Sequence, residues 1–220
     1  MNEVKLIDIK ETIFAANDNA AEEIRAKLTE KGITMVNLMA SPGAGKTSLI
    51  LKTIEALGDR VRIGVIEGDL DSIVDATKIV EKNIPAVQLR TGGACHLDAL
   101  MVGAALDELD LDSLDLIIVE NIGNLVCPAS FDIGAHTAVL VTSVPEGDDK
   151  VLKYPIIFRV CEALVVNKTD YLPDPGFDYE TMKTNVRNLN PKLDILPVSC
   201  RTGTGLGEWI DWLEGKIAGV

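Results

Sequence analysis

The chain has 220 residues, 47% of them hydrophobic and 25% charged, which is ordinary globular composition with length enough for a substantial core. Its formal net charge of −13 makes phosphate backbones and anionic membrane surfaces poor partners, so no nucleic acid and no membrane is expected. No apolar run approaches the ~20 residues that span a bilayer, and residues 1–10 lack a signal-peptide core, so a cytoplasmic location with four reduced cysteines is expected.

The first predicted element is an amphipathic helix over residues 11–31, with Ile13, Ala20, Ile24 and Leu28 near one face and Gly32 as its C-terminal cap. Residues 1–32 read as a helical extension packed on a sheet, and residues 1–220 as one domain. An apolar strand over 33–39 then leads into Ala40-Ser41-Pro42-Gly43-Ala44-Gly45-Lys46-Thr47, and a helix follows over 48–57. Strand, glycine-rich turn and helix are what a phosphate-binding loop requires. The stretch from Ser41 to Ser48 would wrap phosphates with the backbone N–H groups it has (all but Pro42), with Lys46 reaching the terminal ones and the Thr47 hydroxyl on Mg²⁺. The usual first glycine is Ala40 here, which the turn tolerates if that residue needs no positive φ.

Strands over 60–66, 85–89, 114–119, 137–141, 163–166 and 194–198 alternate with helices over 75–81, 97–109, 179–189 and 205–218. The continuous apolar strand runs suit parallel strands buried on both faces, so the predicted class is α/β: a three-layer P-loop NTPase fold, mostly parallel, with helices on both faces.

Ligands in such sheets bind at the carboxyl ends of strands. There the chain carries Asn167-Lys168-Thr169-Asp170, whose carboxylate can accept two N–H bonds from a guanine edge. Ser199-Cys200-Arg201 closes the next strand, where a backbone N–H could meet the guanine carbonyl. A small-molecule kinase would share the phosphate loop, but this pair of loops favours GTP over ATP. For Mg²⁺, with its demand for oxygen ligands, the candidates in order are Glu120, Asp69 and Asp75; with Lys46 they are also the catalytic candidates. Glu120-Asn121-Ile122-Gly123 stands where GTPases carry Asp-x-x-Gly, so the Gly123 amide could sense the γ-phosphate.

Cys95-His96 and Cys127 lie in loops at the same sheet edge. Two thiolates and an imidazole suit Zn²⁺ or Ni²⁺. Three ligands leave the site open or completed across a dimer, with His136 a possible addition, while Cys161 and Cys200 read as small buried hydrophobes. A purely structural zinc holding a GTP-switched dimer is the alternative. Residues 146–155 read as a solvated loop in which Lys153 could pair with Asp71 of a second copy.

Taken together, these motifs, with Glu67-Gly68-Asp69 and the run from Pro145 to Pro155, resemble the HypB family of nickel-incorporation GTPases of [NiFe]-hydrogenase maturation, over nearly the whole chain. The resemblance implies a slow GTPase that dimerises with GTP, binds nickel or zinc at Cys95, His96 and Cys127, and works with HypA and the hydrogenase large subunit. The chain begins Met1-Asn2-Glu3-Val4, without the Cys-x-x-Cys-Gly-Cys or His-rich start of some members.

Overall fold

The computed structural model of the protein describes residues 9–69 and 79–219. Among these residues seven strands form one sheet: β1 (Thr34–Ala40), β2 (Ile63–Asp69), β3 (Ala86–Arg90), β4 (Leu116–Glu120), β5 (Thr137–Ser143), β6 (Ala163–Asn167) and β7 (Asp194–Pro197). Their order is β3-β2-β4-β1-β5-β6-β7, and every pairing is parallel. The helices are α1 (Ile9–Glu30), α2 (Lys46–Leu57), α3 (Ala99–Leu106), α4 (Lys150–Lys153), α5 (Pro155–Val160), α6 (Tyr179–Leu189) and α7 (Leu206–Ile217).

The layers follow from the side-chain pattern. All residues of β1, β4 and β6 are buried, as unbroken apolar runs covered on both faces demand. On one face α2 and α7 place Leu49, Ile54, Trp209 and Leu213 over Val36, Ile118 and Val139. On the other, α1 and α3 cover Met35 and Ile117, while α4, α5 and α6 cover Leu140 and Leu164. This is the predicted three-layer α/β fold. Helix α1 ends as expected at Gly32, whose φ of +68° lets the Ile33 N–H reach the Leu28 carbonyl (2.9 Å) and the Gly32 N–H that of Thr29 (3.0 Å).

Two stretches differ from the sequence reading. The second strand, expected over 60–66, is Ile63–Asp69, because Gly58–Arg60 forms a 3₁₀ turn and Arg62 is held by Asp115 (2.6 Å). Glu67, Gly68 and Asp69, expected at the strand's end, are thereby its last three residues. Residues 146–155, expected as a solvated loop, carry α4, because Val151 is an apolar anchor at 2% exposure. Most of the helix expected over 75–81, with Asp71 and Asp75, lies outside the described residues.

Candidate functional site

Strands β1, β2 and β4 deliver their carboxyl ends to one cleft of about 530 Å³, floored by the turn from Pro42 to Thr47. The turn needs its glycines: Gly43 and Gly45 have φ of +79° and +102°, and a Cβ on Gly45 would lie 2.4 Å from the Asn167 amide nitrogen. Ala40 is the last residue of β1 and does not have positive φ, so alanine is tolerated there. Lys46 and Thr47 open α2, where backbone N–H groups and the helix dipole favour an anion. The Lys46 ammonium lies 3.7 Å from Glu120, and the Thr47 hydroxyl donates to the same carboxylate (3.1 Å).

Glu120, only 6% exposed, therefore sits where lysine, threonine and cleft converge. Beside it in register on β2 is Glu67, at 2% exposure. Sequence reasoning places Glu67 among the strand-end acids but ranks only Asp69 of that pair for the metal, whereas both line the cleft. The available signal for Glu67 was a carboxylate inside an apolar run, Val65-Ile66-Glu67, next to a glycine. Asp69 lines the cleft at the end of β2, and Ser48 is an exposed residue of its rim. Gly123 lies against the phosphate loop, since a Cβ there would sit 3.0 Å from Pro42 Cγ and 3.1 Å from its nitrogen. Ser41 donates its hydroxyl to Glu146, whose other oxygen accepts from Ser143 (2.7 Å). Glu146 was assigned to the solvated loop and is instead a brace between the phosphate loop and the end of β5.

A second cleft of about 390 Å³ adjoins the first and is walled by Lys168, Asp170, Cys200 and Arg201. Asn167 ties it to the phosphate loop, its Nδ2 donating to the Ala44 carbonyl (3.0 Å), and Lys168 Nζ donates to the Gly43 carbonyl (2.7 Å). The Asp170 carboxylate accepts from Ser199 Oγ (2.6 Å) and lies 3.7 Å from Arg201. The N–H groups of Ser199 and Cys200 are engaged by the Thr204 carbonyl (2.8 Å) and Asn167 Oδ1 (3.3 Å). Burial pushes the Cys200 thiol up to about 11, and that of Cys161 higher still, so both behave as hydrophobes here.

Cys95, His96 and Cys127 form one cluster. The sulfurs are 2.8 Å apart, Cys95 Sγ is 3.8 Å from His96 Nδ1, and the three ligand atoms lie within 4.8 Å of one another. The Cys95 thiol is held above its ordinary value, first by its hydrogen bond to Cys127 and then by desolvation. Burial lowers His96, against the pull of Asp98, and so favours the neutral imidazole that a metal needs. Its ring stacks on Phe131 at 3.8 Å, and Phe131 stacks in turn on Phe14 of α1 at 5.0 Å. His136 stands apart from the cluster, accepting the Met35 N–H (2.9 Å) and contacting Thr29 (3.0 Å). Lys153 pairs within its own chain with Asp149 (2.5 Å).

A parallel sheet with a glycine-rich turn on an anion-favouring helix end, beside two paired carboxylates, defines a phosphate-loop nucleotide-binding protein. Residues 34–197 match the family described as CobW/HypB/UreG, nucleotide-binding domain. The chain is 45% identical over 214 residues to the hydrogenase maturation factor HypB of Azotobacter vinelandii, covering 97% of this chain and 71% of that one. It superposes on the crystal structure of HypB from Archaeoglobus fulgidus with a TM-score of 0.86 at 42% identity, covering 92% and 99% of the two chains. HypB from Helicobacter pylori in complex with nickel gives 0.87 at 37% identity, covering 92% and 95%. The chain belongs to the HypB family of hydrogenase maturation factors.

Proposed function

We propose that this chain is a GTP-hydrolysing metallochaperone that helps insert nickel during [NiFe]-hydrogenase maturation. The observation that carries the reading is one segment, residues 120–127, which borders the phosphate cleft at Glu120 and Gly123 and supplies the ligand Cys127. A relative solved in complex with nickel adds support.

In this reading Asp170 recognises guanine, with Asn167, Lys168 and the 199–201 loop holding the base cleft, and the turn from Ser41 to Ser48 holds the phosphates. Mg²⁺ would be held by oxygens of Thr47, Glu120 and Asp69, with Glu67 beside them and Asp75 completing the expected set; hard carboxylate and hydroxyl donors fit that ion. It would neutralise charge on the β- and γ-phosphates. Lys46 trades its contact with Glu120 for the terminal phosphate. Water attacks the γ-phosphorus, the bond to the bridging oxygen breaks, and GDP and inorganic phosphate leave. Gly123, packed on Pro42, registers that departure.

The nickel or zinc ion is cargo. Cys95, His96 and Cys127 offer three borderline-soft ligands on exposed loops, an open set suited to transfer rather than a closed cage. GTP drives homodimer formation in the cytoplasm, and HypA and the hydrogenase large subunit are the partners on either side of the transfer. The test is chelator competition with Ni²⁺ and Zn²⁺. Cys95→Ala and Cys127→Ala should each lose roughly 100-fold or more in metal affinity while GTP still binds. Unchanged metal affinity in both would sink the assignment. Size measurement with GDP or a GTP analogue, with and without Ni²⁺, tests the dimer.

A further inference from the structure

Coupling between nucleotide and metal needs a physical path, and a buried amide spans it. Asn121 has 0% exposure. Its backbone N–H donates to the Leu38 carbonyl on β1 (3.0 Å), and its Nδ2 donates to Asn37 Oδ1 (3.1 Å). Its Oδ1 accepts two N–H groups, those of Ile122 (2.9 Å) and Leu97 (3.2 Å). Ile122 precedes Gly123, which packs against the phosphate loop, and Leu97 follows the ligand His96. Leu97 is itself seated, because Gly68 of β2 lies so close that a Cβ there would be 2.9 Å from the leucine side chain.

Asn124 makes a second tie between the same two loops. Its Nδ2 donates to the Cys95 carbonyl (3.2 Å) and its Oδ1 accepts from the Val126 N–H (2.8 Å), one residue before Cys127. Both ligand-bearing loops are thus bonded through asparagines of the segment that touches the phosphate loop. Water has no access to Asn121, so neither N–H on its oxygen can let go without being left unpartnered, and the two must move together. With Asn37 presenting its oxygen, aspartate would supply no donor toward it and leucine no polar group at all, whereas asparagine meets this set of partners.

We infer that Asn121 and Asn124 are positioning residues that turn displacement of Gly123 at the phosphate cleft into altered spacing of Cys95, His96 and Cys127. This rests on the nucleotide–metal coupling proposed above. The test measures Zn²⁺ and Ni²⁺ dissociation constants by chelator competition in the GDP and GTP-analogue states, in the intact chain and in Asn121→Ala and Asn124→Ala. The readout is the ratio of the two constants. The unsubstituted protein should show a ratio of about fivefold or more. Asn121→Ala should bring it to within about twofold of one, with Asn124→Ala lying between. By linkage, the effect of metal on GTP-analogue affinity must shrink by the same factor. A purely structural role would shift affinity in both nucleotide states alike and leave the ratio unmoved. Folded variants that keep the original ratio overturn the inference. A ratio of one in the unsubstituted protein overturns the coupling itself, before any variant is made. If Asn121→Ala fails to unfold cooperatively, Asn124→Ala decides on the same criterion.

Discussion

Gly123 shows how closely a single residue can be specified without an unusual backbone. Its φ is not positive, so alanine would be allowed by torsion alone. What crowds an alanine is the Pro42 ring and nitrogen, at 3.0 and 3.1 Å from the place a Cβ would take, so one of the two segments must give by a few tenths of an ångström. Gly123→Ala must push the phosphate loop or the 120–127 segment outward. It should weaken GTP-analogue binding by roughly tenfold, about 1.4 kcal/mol, with the fold intact, as read by nucleotide titration and thermal unfolding. Equal affinity in the variant would mean that the two loops separate freely. Among the thiols, metal uptake must expel the Cys95 proton, which its bond to Cys127 holds on. Apparent metal affinity should therefore rise with pH, and a flat profile between pH 6 and 8 would argue against thiolate ligation.

Between elements, two junctions set how the layers hold. Trp209 of α7 donates its indole N–H to Thr53 Oγ1 of α2 (2.8 Å), and that hydroxyl donates to the Leu49 carbonyl (2.7 Å). Thr53→Val keeps the shape but leaves a fully buried indole N–H without a partner, a cost of about 1–3 kcal/mol. Urea unfolding should show it as a lower midpoint at unchanged slope. Helix α1 is held to the 131–136 loop by Asn17 on the Asp132 carbonyl (2.8 Å), the Arg25–Asp132 pair (2.6 Å) and the His136 ring. Burial, then the charge of Arg25, lowers the His136 pKa from 6.5, so the native protein holds the neutral ring. The unfolded chain takes up the proton first as pH falls. The stability present above about pH 6.5 is therefore lost as acidity rises through the lowered native value. His96 acts with the same sign. His136→Gln should flatten part of the loss between pH 7.5 and 5.5, and an unaltered profile would exclude His136 as a contributor.

Across the molecule, the sheet was legible because its strands are unbroken apolar runs and its turns carry glycine where φ must be positive, as at Gly43 and Gly45. The Cys95–His96–Cys127 cluster was legible because each part follows a strand end at the same edge of the sheet. The braces were not. Glu146 looked like one acid in a charged loop, yet two serine hydroxyls, one just past β1 and one at the end of β5, converge on it. Asn37 was the one amide within the apolar run 33–39 and signalled a buried partner, but nothing local names Asn121, 84 positions on, as that partner. Such ties depend on which strands become neighbours: β1 pairs with β4, not with the next strand along the chain.

The face-to-face placement of His96 on Phe131 also makes the imidazole its own reporter. Protons held over an aromatic face are shielded by the circulating π-electrons, so the ring signals of His96 should resonate upfield of those of His136. Among the described residues His96 and His136 are the two histidines, so their spectra are readily told apart. Any event that tilts the His96 ring away from the phenyl plane, at either end of the Phe14–Phe131–His96 stack, would be read as a change in chemical shift without attaching a label.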